Sequence, residues 1–192
     1  AEYFEDYCRR YTDMPMLVKL VKKGGHFVPD RLLRASDFEG ALGETNNPDW
    51  KTVAIDGKTM KPVAPQGSIG YRWGEQGKWN IEAKDGKGAE VDLTLSLILE
   101  EHRDQVAPVA FPYFGNREHD HFAGSKHDSV LLRSVPAKRI ALAGGEALVA
   151  TVFDLFVANY GLDRGLGDTT CAKSFDEDLP YTPAWAEKIT GV

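Results

Sequence analysis

Cysteine is scarce in this sequence: only Cys8 and Cys171 occur among 192 residues, near opposite ends. That placement excludes paired-cysteine metal spacing and a small disulfide-stapled scaffold, and it fits a reducing compartment. No run of about 18 apolar residues is present to span a bilayer, and no basic-then-apolar leader to direct export. Positive charge is in deficit, with 23 Lys and Arg against 29 Asp and Glu and a net charge of −6. Without a basic face there is no counterion release to drive nucleic-acid binding, so nucleic acid is not an expected partner. Serine-elbow, HExxH and CxxC motifs are also missing.

What remains is the composition of a globular chain, 42% hydrophobic and 27% charged. A chain of this length buries roughly 70% of its unfolded surface, so neither metal nor disulfide is needed to hold it together. It opens on Ala1 without a Met and stops just past a helical pattern. Both ends are therefore expected to continue in a longer polypeptide.

Apolar spacing predicts a mixed α+β fold, with short helices at both ends and antiparallel strands, hairpins and long loops between. Residues 1–45 form a helix and strand region, residues 46–142 a strand- and loop-rich insertion, and residues 143–192 a helical region. Tyr3, Phe4, Tyr7 and Tyr11 make an aromatic stripe on a first helix. Leu17 to Val21 and His26 to Val28 pair around a Lys22 to Gly25 turn. Ser36 would cap a polar helix that ends at Gly43. A short strand is expected at Thr52 to Ile55 and another at Ser68 to Trp73. Lys78 to Lys84 and Val91 to Leu99 flank Asp85-Gly86-Lys87-Gly88 as a hairpin with one buried face.

Farther along, Gln105 to Phe114 carries two prolines and suits an edge strand or packed irregular segment. Val130 to Val135 and Arg139 to Leu142 read as two strands. Leu148, Val149, Val152, Phe153, Phe156, Val157 and Tyr160 recur at helical spacing, with Gly161 placed just beyond the helix end. Thr182 and Pro183 open a final helix. Loops this long suggest that neighbouring structure holds them in place.

Three constellations could carry chemistry. His119 and His121 alternate on an extended stretch beside Glu118 and Asp120, and with His127 they could supply three nitrogens to zinc, as in a zinc hydrolase. A solvated polar loop is the simpler account, because no orienting partners for such ligands are visible. Arg72 lies among the glycines of SIGYRWGEQG (Ser68 to Gly77), and Arg164 in the glycine-rich exit from the helix. Either guanidinium could hold a phosphate or pyrophosphate, although turn and helix-cap chemistry explain both settings. The two thiols are expected to be structural, and no catalytic residue is assigned.

Several phrases are more specific than any periodicity. RRYTDMPMLV (Arg9 to Val18), ETNNPDWKTVA (Glu44 to Ala54), APQGSIGYRWGEQGKWN (Ala64 to Asn80), FPYFG (Phe111 to Gly115), ANYGLDRGLGD (Ala158 to Asp168) and YTPAWAEKITGV (Tyr181 to Val192) together cover much of the chain. In this order they resemble the respiratory nitrate reductase alpha subunits, a branch of the molybdopterin oxidoreductase (DMSO reductase) superfamily. The resemblance implies a place in a larger enzyme that reduces nitrate to nitrite in the cytoplasm, attached to the inner face of the cell membrane. It implies a molybdenum bis-pterin guanine dinucleotide and an iron-sulfur cluster, both held outside these residues, so no cofactor is expected within the segment. The implied partners are the rest of the alpha subunit, an iron-sulfur beta subunit and a membrane haem subunit.

The departure from the family pattern is Gly115 to Asp128, where a more glycine-rich turn is replaced by the histidine cluster. A metal role shared with the family is therefore not expected there. The alternatives to an inactive structural fragment are an independent binding or assembly module and the zinc hydrolase. Purified chain is expected to carry no stoichiometric zinc by metal analysis, and replacement of His119, His121 and His127 by Ala should leave its thermal midpoint unchanged. One bound zinc per chain, lost in the triple variant, would reverse that assignment.

Overall fold

The computed structural model describes residues 2–66, 84–113, 129–168, 171–179 and 181–191. Its centre is a closed five-stranded barrel. The strands are β1 (Leu17–Lys23), β2 (His26–Leu32), β5 (Gln105–Tyr113), β6 (Ser129–Leu142) and β7 (Gly145–Thr151), while β3 (Ala54–Asp56) and β4 (Lys61–Val63) form a separate two-stranded sheet. Three helices accompany them among the described residues: α1 (Glu2–Tyr11), α2 (Val152–Asn159) and α3 (Pro183–Thr190). The class is mixed α+β, as the periodicities predict. None of these helices is long and apolar enough to cross a membrane.

The barrel closes because each strand has a partner on both sides. β1 pairs antiparallel with β2 and with β7, and β6 pairs antiparallel with β5 and with β7. The seam is β2 against β5, which are parallel and joined at Phe27 and Val109. Alternation then sends Val18, Leu20, Ala107, Val109, Phe111, Val135, Ala137, Leu148 and Ala150 into one cluster drawn from the strands, closed by Leu155 and Ala158 of α2. The alanines at 107, 137 and 150 suit a narrow barrel whose inward positions must fit its taper. On the outer face Leu17, Ile140, Ala147 and Val149 pack with Leu33, Phe38, Val53 and Ile55 in a second cluster.

Two expectations change here. The segment from Gly145 to Thr151 is a strand, and the helix begins only at Val152. This strand is buried on both faces, with Leu148 and Ala150 inward and Ala147 and Val149 outward. A doubly buried strand has no polar face, so its apolar run cannot be told from a buried helix by spacing. Likewise β6 is one strand of 14 residues rather than two. Ser129 to Ala137 pair with β5 and Lys138 to Leu142 with β7, so Pro136 lies close to the changeover between partners.

The polar helix after Ser36 is replaced by two 3-10 turns, Ala35–Asp37 and Glu39–Gly43. Gly40, Ala41 and Leu42 have φ of 62°, 48° and 55°, so the chain reverses through a left-handed turn. Asp37 accepts from the Arg34 N–H at 2.7 Å and from both terminal nitrogens of Arg31 at 2.7 and 2.5 Å, which draws it back onto β2 instead of forward into a helix. β5, with Pro108 and Pro112, is a full barrel strand rather than an edge, in register with β6 throughout its nine residues.

An antiparallel bridge between Lys84 and Glu90 spans the Asp85 to Gly88 turn, followed by the extended segment Val91 to Leu99, which is buried at Leu93, Thr94, Leu95 and Leu97. That segment is held by the Thr94 N–H on the Ile55 carbonyl (2.9 Å) and by a bridge between Leu93 and Asp56. The Asp85 to Gly88 turn is present, closed by the Asp85 N–H on the Ala89 carbonyl. Most of the proposed first arm and the strand at Ser68 to Trp73 lie outside the described residues.

Elsewhere the sequence reading agrees with the coordinates. α1 and the β1–β2 hairpin fall where expected. Gly161, at φ 70°, follows the α2 cap, and a Cβ there would lie 2.5 Å from an Arg133 terminal nitrogen, so glycine is required twice over. Thr182 caps α3 by accepting from the Trp185 N–H at 3.1 Å.

Two carboxylates tie the outer layer together and give it a pH dependence. Hydrogen bonding from Arg31 outweighs partial burial and, with the Arg34 N–H, holds the Asp37 carboxyl below its usual range. Burial opposes ionisation of Asp56, but the Thr59 hydroxyl (2.7 Å) and the N–H groups of Asp92 and Lys58 overcome it and lower its pKa too. A lowered folded pKa adds stability above the unfolded value of roughly 4, and that stability is lost as pH falls through the folded pKa. The urea midpoint should therefore be flat near neutrality and decline below about pH 4, with Asp56→Asn flattening part of that decline. An acid limb that Asp56→Asn leaves unaltered would remove Asp56 from this role.

Candidate functional site

The densest polar constellation among the described residues surrounds Asp154, whose solvent exposure is 0%. Its position follows from local sequence. Thr151 ends β7 and caps α2, accepting from the Asp154 N–H at 3.0 Å, while its own hydroxyl donates to Asp154 Oδ2 at 2.9 Å. The carboxylate is thereby turned back across the first turn of α2. It accepts there from the Ser96 hydroxyl (2.6 Å), the Leu97 N–H (2.8 Å) and Arg164 (2.7 Å). A second Arg164 nitrogen donates to Ser96 Oγ at 2.7 Å, closing a ring of three side chains. The guanidinium carbon also lies 5.8 Å from the centre of the Phe153 ring.

Above this ring lies an apolar groove of about 930 Å³ between α1, the 92–99 segment and α2. Phe4 and Cys8 come from α1, Leu95 and Leu99 from the extended segment, and Phe153 and Phe156 from α2. Several of these are open to solvent: Phe4 is 77%, Leu99 50% and Phe156 47% exposed. Beyond Phe156 a chain of ring contacts continues through Tyr160 and Tyr181 to Trp185, with centroid spacings of 4.8, 6.4 and 5.3 Å.

A second buried group holds the loop after α2. Asp168 accepts from the Ser134 N–H at 3.0 and 2.8 Å, and Cys171 packs beneath it with its thiol 3.5 Å from Arg133, which is itself 1% exposed. Burial pushes the Cys171 thiol up; Arg133 opposes the shift and Asp168 adds to it. Cys8 and Cys171 are both free, and Cys171 is set up as a packed thiol rather than a nucleophile.

Arg164 is thus placed on an internal anion, engaged by Asp154 and Ser96. Arg72, His119, His121 and His127 lie outside the described residues. Among the described residues no three His, Cys, Asp or Glu side chains converge as metal ligands. The sequence reading passed over Asp154, Ser96 and Arg133. Thr151 to Asp154 is a T-x-x-D pattern before an apolar run, a capping signal, and it is hidden when the helix is started too early. Nothing local marks Ser96, which meets Asp154 across 58 residues of chain.

No family model matches the chain. Among curated proteins, it is 55% identical over 194 aligned residues to the respiratory nitrate reductase 1 alpha chain of Escherichia coli (strain K12), covering 100% of this chain and 15% of that protein. Identity is 54%, with the same coverage, to the respiratory nitrate reductase 2 alpha chain of that organism. It is 39% over 193 residues to the nitrate reductase alpha chain of Bacillus subtilis (strain 168), of which the chain covers 14%. The chain therefore spans about one seventh of the length of these relatives.

Removing one member of a buried, hydrogen-bonded ion pair leaves the other charge uncompensated, at a cost of about 3–5 kcal/mol. Asp154→Ala should accordingly destabilise the chain by about that much in urea denaturation, whereas Arg164→Met combined with Asp154→Leu should recover a good part of it. Strict additivity of the two single changes would mean that the pair is not coupled.

Proposed function

We propose that this chain, which along its whole length matches a segment of respiratory nitrate reductase alpha chains, is a structural part of a molybdenum-dependent enzyme that reduces nitrate to nitrite. Identity of 54–55% spread over the entire chain is the observation that carries the reading. Residues 1–192 serve as one segment of the larger subunit and contribute no catalytic residue.

The molybdenum bis-pterin guanine dinucleotide and the iron-sulfur cluster belong to other parts of that subunit. Arg164, the described residue considered for a pyrophosphate, does not fit such a group, because two of its nitrogens are already engaged by Asp154 and Ser96. No step through the cofactor is therefore assigned to these residues. The parent's partners are an iron-sulfur beta subunit and a membrane haem subunit, and its location is cytoplasmic, attached to the inner face of the cell membrane.

The test is to assay the purified chain for nitrate reduction with an artificial electron donor while quantifying molybdenum and iron in the same sample. Neither metal and no turnover are expected. Stoichiometric molybdenum with turnover would place cofactor binding within these residues and overturn the structural assignment.

A further inference from the structure

We infer that the groove between α1 and α2 is a docking seat for an apolar segment of the same parent polypeptide, a proposal that rests on the nitrate reductase reading. The groove's size alone would also admit a small ligand. A small ligand, however, needs convergent polar groups to orient it, and the cluster at the floor is engaged internally: Arg164 and Ser96 with Asp154, and Asp154 with the Leu97 N–H. Of the groove's other polar atoms, His102 Nδ1 and Arg9 Nε are buried without a partner among the described residues and come from separate elements. What the groove offers is aromatic and aliphatic surface at Phe4, Leu95, Leu99, Phe153 and Phe156. Apolar side chains from a helix or extended segment match that chemistry.

The occupant is identified by what lies outside the chain. The relatives carry most of their polypeptide beyond the matched 15%. Among the described residues, Phe4 and Phe156 beside the groove are open to solvent, and the exposed stripe continues onto Tyr160, 53% exposed, which meets the half-buried Tyr181 toward α3. A contiguous apolar surface of this kind is a site of association. α1 forms one wall of the groove, joined to the facing segment by an ion pair from Arg9 to Asp92 at 3.3 Å between partly exposed side chains. Its Phe4 and Tyr7 face outward, so an inserted segment would bury one wall of the groove onto the other.

Hydroxyl-radical footprinting of the unmodified full-length parent polypeptide, purified without other subunits, tests this directly. Oxidation at Phe4, Leu99 and Phe156, normalised to each side chain's intrinsic reactivity, should fall about tenfold or more below that of solvent-open positions. Oxidation at solvent-open rates would overturn the proposal. So would protection that appears only when another subunit is added, or only at concentrations where the polypeptide self-associates. Nitrate reduction by the parent with its partner subunits is measured separately: its absence with the groove protected would sink the nitrate reductase reading but not the docking, and activity with an open groove would do the reverse.

Discussion

A carboxylate with no water around it must replace the hydrogen bonds it had in solvent, and Asp154 finds them in three separate pieces of chain. Thr151 comes from the end of β7, Ser96 and Leu97 from an extended segment, and Arg164 from the loop after α2. Two of those pieces lie outside the helices and the barrel strands. Among the described residues the 92–99 segment is joined by the Asp56–Leu93 bridge and the loop after α2 by the bridge between Leu162 and Ala172. Their positions depend on the anion between them, because displacing any one would leave part of a buried charge unsatisfied. Such an arrangement favours one conformation over close alternatives more than it adds net stability.

The barrel and this polar ring constrain each other. α2 closes the barrel interior with Leu155 and Ala158, and its first turn presents Asp154 on the other side. The helix must start where β7 stops, and Thr151 serves both elements as last strand residue and N-cap. At the far end of α2 the buried Arg133 of β6 occupies the space a Cβ at Gly161 would take; the chain turns there with Gly161 at φ 70° and returns to reach Asp154 through Arg164 and the Ser134 N–H through Asp168. The phrase ANYGLDRGLGD thereby acquires a physical meaning: its glycine makes the turn, and its arginine and second aspartate fasten the loop to two different strands' surroundings.

This internal use of polar groups bears on function. Guanidinium and hydroxyl groups that might have met a substrate or a pyrophosphate are occupied in holding the segment's own loops. Beside them Phe4, Phe156 and Tyr160 leave aromatic surface open to solvent. A buried polar ring beside an open apolar groove is the feature on which the docking proposal rests.

By itself the sequence determined the local features whose cause is local: the β1–β2 hairpin around its glycine turn, the Thr182 and Pro183 start of α3, the Gly161 stop of α2 and the burial of Leu93, Leu95 and Leu97. Its phrases also carried the resemblance to nitrate reductase alpha chains, because a likeness in residue identity is something periodicity does not encode. Only the tertiary structure decided whether residues 145–151 were helix or strand, since burial on both faces erases the period that separates them. It also made β5 a closed-barrel strand despite its prolines, through neighbours supplied by β2 and β6. It alone could bring Ser96 and Arg164 to Asp154, because partners 58 and 10 residues away are chosen by packing in space and leave no mark in local spacing.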